Sequence, residues 1–167
     1  MTARNSADKY SHMSNLQLGT STGGGGLKQG IVAVPDAATY TVLAKNSGKM
    51  HIFPNLTADC TITLPSAAYG LKYEFMYNGA AADAQDWIIV TAATDELFAG
   101  GVVFHDENIG GSGIEVLAVY ADFSNDDTFT VLTPQVGTAV TFVSDGSSWF
   151  TNGMIISDTV PNRSKGQ

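Results

Sequence analysis

His105-Asp106-Glu107 sets an imidazole beside two carboxylates, the residue types of a metal ligand set or an acid–base pair. Adjacent residues in a strand point to opposite faces, so His105 and Asp106 would not converge on one ion. His12 and His51 lie far off in sequence, whereas a zinc site needs histidines one helical turn apart or clustered Cys and His. Asp122, Asp126 and Asp127 flank Ser124 and Asn125 in an oxygen-rich stretch chemically suited to calcium. The spacing is not that of an EF-hand, and no glycine or terminal glutamate falls in the right place, so a solvated turn is expected. Any of the sixteen acids could form a carboxylate pair for glycoside hydrolysis, and their presence alone selects none. No G-x-S-x-G, G-x-x-x-x-G-K-[ST] or G-x-G-x-x-G occurs, and Gly110-Gly111-Ser112-Gly113 reads as a loop. The single cysteine, Cys60, is expected to be a buried, inert thiol. No catalytic residue, metal or cofactor is expected, and the chain reads as a non-enzyme.

The elements that would position these residues are strands. In Thr57–Asn78, Cys60, Ile62 and Leu64 fall on one face, with Thr61 and Thr63 on the other. After a break at Pro65–Gly70, Leu71, Tyr73, Phe75 and Tyr77 oppose Lys72, Glu74 and Met76. Period-two patterning on both sides of a turn marks half-buried antiparallel strands. Further strands are predicted at Thr41–Lys45, Lys49–Phe53, Trp87–Thr91, Val102–Phe104 and Ile114–Ala121. Thr128–Leu132, Ala139–Val143 and Ser148–Ile156 complete the set. Asn46-Ser47-Gly48 and Ser144-Asp145-Gly146-Ser147 supply turns tolerant of positive φ. Pro54 and Pro65 bracket the strand between them. Asp95–Gly101 reads as one helical turn, and Ala80–Gln85 as a helix too short to stand alone. The predicted class is all-β, a single antiparallel β-sandwich or jelly-roll-like barrel with an extended N-terminal arm. The arm spans 1–30, with Gly23–Gly26 as its joint, the β-domain spans 31–160, and the C-terminal tail spans 161–167.

A length of 167 residues suits one domain able to bury a core without disulfides. Charged residues make up only 14% of the chain, too few for long helical surfaces and consistent with a protomer that buries much of its outside. Met50–Val160 holds fourteen acids and one base, Lys72, while Met1–Lys49 holds five bases and two acids. An acidic body repels nucleic acid and anionic membrane, so neither is an expected partner. No run approaches the ~18 apolar residues of a membrane span, and the N-terminus lacks an apolar leader core.

Two segments resemble a known family. The first turns into a strand, ends an inward-facing strand in Thr63-Leu64-Pro65, and continues as Ala67-Ala68-x-Gly70-Leu71-x-Tyr73-x-Phe75. The second is the closing segment Val143-Ser144-Asp145-Gly146-Ser147-Ser148-Trp149-Phe150. Together, Lys45–Tyr77 and Phe142–Ile156 resemble β-rich structural proteins of tailed-phage virions. The resemblance implies a capsid decoration protein, non-enzymatic and homotrimeric, whose partners are the major capsid protein or other virion subunits. It places the protein in the virion, assembled in the host cytoplasm. A glycan-binding module of a tail fibre or baseplate, and a small β-sandwich enzyme on polysaccharide, are the competing readings.

The continuous apolar run Trp87–Val90 suggests a strand covered on both sides, the second cover coming from a neighbouring subunit. Trp87, Ile89 and Trp149 are therefore the expected oligomer interface. Arg4, Lys9, Leu16, Leu18, Leu27 and Lys28 are the expected particle contacts of the arm.

Overall fold

The computed structural model describes residues 29–80, 82–106, 116–122 and 126–164. Among them the chain forms strands β1 (Ile31–Ala33), β2 (Thr39–Thr41), β3 (Met50–Phe53), β4 (Cys60–Thr63), β5 (Lys72–Tyr77) and β6 (Trp87–Val90). These are followed by β7 (Phe98–Asp106), β8 (Val116–Asp122), β9 (Thr128–Val131), β10 (Ala139–Ser144), β11 (Trp149–Ser157) and β12 (Asn162–Ser164). The fold is all-β, in two sheets. One has seven strands in the order β1-β3-β5-β10-β11-β7-β8, the other five in the order β12-β9-β6-β4-β2.

Both sheets are mixed, which corrects the expected antiparallel arrangement. The first seven strands alternate between the sheets, so successive strands of one sheet are separated by a strand of the other. A chain that crosses over and returns runs in its original direction. Hence β1, β3 and β5 are parallel neighbours, as are β2, β4 and β6. The β10–β11 hairpin then adds antiparallel to β5, and β11 takes β7 as a parallel neighbour.

Inward side chains of both sheets meet in one core. Phe53 on β3 packs against Trp87 on β6 with ring centroids 4.4 Å apart, and Phe129 on β9 meets Phe98 and Phe142 from the larger sheet. Trp87, Ile89 and Trp149 are fully buried within this single chain. Fully buried side chains cannot form an exposed contact, so the expected oligomer interface at these residues is corrected: Trp87 and Ile89 on β6 and Trp149 on β11 are all part of the chain's own core. On β6, Ile88 and Val90 alternate outward and are only half-buried.

Several element boundaries differ from expectation for local reasons. Thr41–Lys45 is not one strand, since β2 ends at Thr41 and Ala44–Asn46 forms a 3-10 turn. That turn leads into Gly48, whose φ of 81° suits the tight entry to β3. Phe98–Gly101 is strand rather than helical turn, because Phe98 is drawn against Phe129 and Phe142. Near Ala80, where a helix would be too short to stand alone, Asp83 accepts N–H bonds from Leu56 and Gln85 instead. Residues 162–164 pair with β9 and Pro161 is buried, so the β-domain extends past 160 into the expected tail.

Cys60 is fully buried in β4, where burial above all, and then the Asp36 carboxylate, push its thiol up to about 11. It stays protonated at neutral pH and is chemically quiet. Replacing it by serine places a hydroxyl in an apolar site, and chemical denaturation should show a loss of about 1–3 kcal/mol.

Candidate functional site

The outward positions of the seven-stranded sheet line up in rows fixed by strand register. One row runs Ile31, Met50, Glu74, Thr141, Asn152, Gly101 from β1 to β7. Beside it run Ala33, Ile52, Met76, Ala139, Met154 and Val103. On the other flank lie Lys72, Val143, Phe150 and Ala99. Ile31 is 67% exposed, Val103 47%, and Phe150 and Met154 43% each.

From β1 to β7 the charges on these rows are Lys72 and Glu74, which pair with each other at 2.6 Å; on β8 the flank row continues in register to Asp122. The Lys72 bond first, and then a bond donated by the Gln29 side-chain amide, hold the Glu74 carboxyl below the usual carboxylate range. The rest of the surface is Met, Ile, Val, Ala and Phe with a central strip of Thr141, Asn152 and Gly101. Met50, Met76 and Met154 all lie on it, and methionine suits a surface that must adapt to a partner. Contiguous exposed apolar faces are the kind of surface on which proteins meet other proteins, membranes or ligands.

The acids lie elsewhere and have local work. Asp36 accepts from Thr57 N–H, Asp59 from Asp86 N–H, and Asp86 from Thr133 N–H. Burial, and then the neighbouring carboxylates, raise Asp86; Asp83 is raised in the same way, chiefly by burial. These groups tie loops at the ends of the five-stranded sheet and do not converge on a common point.

No protein family matches this chain. A search of curated proteins finds no match either.

The residues singled out for chemistry are dispersed. His105 pairs in register with Ile156, and Asp106 with Ser157, on successive rows of β7 and β11. Glu107 lies outside the described residues. Among the described residues, no three of His, Cys, Asp and Glu gather closely enough to hold a metal ion. Asp126 and Asp127 do not form the expected solvated turn, for both are buried. Their carbonyls accept from Phe98 N–H at 2.7 Å and Thr91 N–H at 3.1 Å, which draws the segment inward. Ser124, Asn125 and the arm residues Arg4, Lys9, Leu16, Leu18, Leu27 and Lys28 lie outside the described residues.

One unexpected residue is His51. It is fully buried on the inner side of β3, its Nδ1 hydrogen-bonded to the Tyr40 hydroxyl at 2.9 Å. The rings of Tyr40, Tyr73 and Phe75 surround it at centroid distances of 5.5–5.8 Å. Burial first, and then the Lys49 charge, lower its pKa to about 4. At neutral pH it is an uncharged member of an aromatic cluster. Its parity with Phe53 in Met50-His51-Ile52-Phe53 is the signal that marks it as inward.

Proposed function

We propose that this protein is a structural component of a tailed-phage virion, a capsid decoration protein that binds the assembled shell as a homotrimer. In this reading the two sheets form a β-sandwich whose outer apolar face is covered by protein in the particle. The observation that carries it is the face of Met50, Met76, Met154, Val103 and Phe150, bearing a single ion pair on an otherwise acidic body. The sequence resemblance at Lys45–Tyr77 and Phe142–Ile156 supplies the virion context. Binding that prefers the assembled shell stabilises it by mass action, without any chemical step.

The test combines sedimentation with shell binding. The protein should sediment at about three times its 17.5 kDa chain mass at micromolar concentration, and it should co-sediment with shells of the phage that carries its gene. Val103→Lys with Met154→Lys alters half-exposed positions, so the fold should survive by circular dichroism. Self-association should nonetheless weaken by at least about tenfold, because desolvated lysines would oppose the contact. A monomer at high concentration that ignores shells would overturn the reading.

A further inference from the structure

We propose that the apolar outer face of the seven-stranded sheet is the docking surface for the N-terminal segment, residues 1–28, of a neighbouring copy of this chain. The inference rests on the homotrimer reading and names what holds the trimer together.

Three observations lead to it. The first is where the described chain begins. Gln29 donates its side-chain amide to Glu74, and Gly30 offers its carbonyl to Met50 N–H, so residues 1–28 join the fold at the margin of this face. The second is complementarity. The segment carries Arg4, Lys9 and Lys28 against Asp8 alone, and Met50–Val160 holds fourteen acids and one base, so the segment is drawn to the body as a whole rather than to a charge on the face itself. Its apolar residues include Leu16, Leu18 and Leu27, suited to the ridges formed by Val143 and Phe150 on one side and Met76, Met154 and Val103 on the other. Between those rows run Glu74, Thr141, Asn152 and Gly101.

The third is distance, which lets the segment reach a neighbour's face. From β5 to β7 is three strand spacings, about 14 Å. Counting back from Gln29, Lys28 and Leu27 come first and then Gly23–Gly26, which have no side chains to bury. Leu18 stands eleven residues before Gln29, about 35 Å of extended chain. Leu16 and Leu18 are therefore within reach of a neighbouring copy's sheet, whereas Leu27, two residues before Gln29, stays beside its own. Exchange of such segments around a ring closes a three-fold assembly by heterologous contacts.

The test uses the full chain. Leu18→Cys is labelled with a nitroxide; buried, protonated Cys60 stays unreacted. It is mixed, by dilution and reconcentration, with unlabelled chains carrying ¹³C-methyl methionine. The expected result is a trimer in which the Met50, Met76 and Met154 methyl signals of the ¹³C chains lose more than half their intensity. In parallel, Leu16→Ser with Leu18→Ser should weaken the trimer by about tenfold or more, as two buried leucines are lost. A trimer whose methyl signals are untouched, or are broadened only when label and ¹³C share one chain, overturns the exchange while leaving the trimer standing. A monomer by sedimentation overturns both.

Discussion

Gly153→Ala should be among the most damaging single substitutions in the β-domain. Gly153 lies in β11, in register with Val140 of β10 and Val102 of β7, and its φ is 151°. A Cβ there would stand 2.2 Å from the Ala139 carbonyl oxygen and 2.8 Å from the Val140 Cα. Both are backbone atoms, so no rotamer change relieves the clash, and β10 must move away from β11. Overpacking and backbone strain each cost about 1–3 kcal/mol, so the expected loss is about 3 kcal/mol or more. For a chain of this size that lowers Tm by roughly 10 °C. Gly48→Ala is the internal control, since its φ of 81° is also positive but nothing lies within 4 Å of the added Cβ. Thermal unfolding should rank the two far apart. Equal losses would mean that the close approach of β10 and β11 is not what Gly153 serves.

The second large effect is acid lability through His51. An unfolded chain protonates this histidine near 6.5, but the folded chain holds it down to about 4. Above pH 6.5 neither state carries the proton and the stability of the neutral, packed imidazole is fully present. Between pH 6.5 and 4 only the unfolded chain takes the proton up, so stability falls as pH falls. The whole window corresponds to roughly 3 kcal/mol. Tyr40, Tyr73 and Phe75 face the ring, and Lys49 supplies the nearby positive charge that opposes protonation. Asp83 and Asp86 act with the opposite sign, because their raised carboxyls take up protons in the folded state. The informative quantity is therefore the difference between the native protein and His51→Phe across this window. Denaturant titrations should show that difference shrinking steadily as pH falls. A difference constant from pH 6.5 to 4 would exclude His51 as the source.

Strands were legible wherever one face alone is buried. Cys60, Ile62 and Leu64, then Tyr73, Phe75 and Tyr77, alternate as β4 and β5 do, and all six are buried. The turn at Ser144–Ser147 was equally plain, with Gly146 at φ 100° and Asp145 accepting from the N–H groups of Ser147 and Ser148. What alternation does not carry is the sheet to which each strand belongs. A turn between β4 and β5 looks the same whether the chain doubles back or crosses to the opposite layer, and here it crosses. That is why the parallel pairs were hidden. It is also why Trp87 and Ile89, correctly read as needing cover, were assigned to a neighbour instead of to Phe53 and the sheet above.

The outer face was hidden for a related reason. Its ridges combine Met76 from β5, Ala139 from β10, Met154 from β11 and Val103 from β7, positions far apart in the chain. Each taken alone is an ordinary half-exposed apolar residue, and only the register makes them contiguous. His51 could have been found, since it shares parity with Phe53. The ring environment that neutralises it comes from β2 and β5, which local pattern does not bring together.

The position of β10 and β11 has a consequence for synthesis. They fill the middle of the seven-stranded sheet, joining β5 on one side to β7 on the other. On the ribosome, the half-sheet of β1, β3 and β5 emerges first, and the β7–β8 pair follows it. Neither can close on the other until residue 157 has left the exit tunnel. Until then the nascent chain presents two sheet edges with unpaired backbone, at β5 and at β7. Long-range pairing of this kind is slow, and open edges invite pairing with other chains. A stop codon just before β10 should therefore yield an insoluble product, although most of the strands would already have been made.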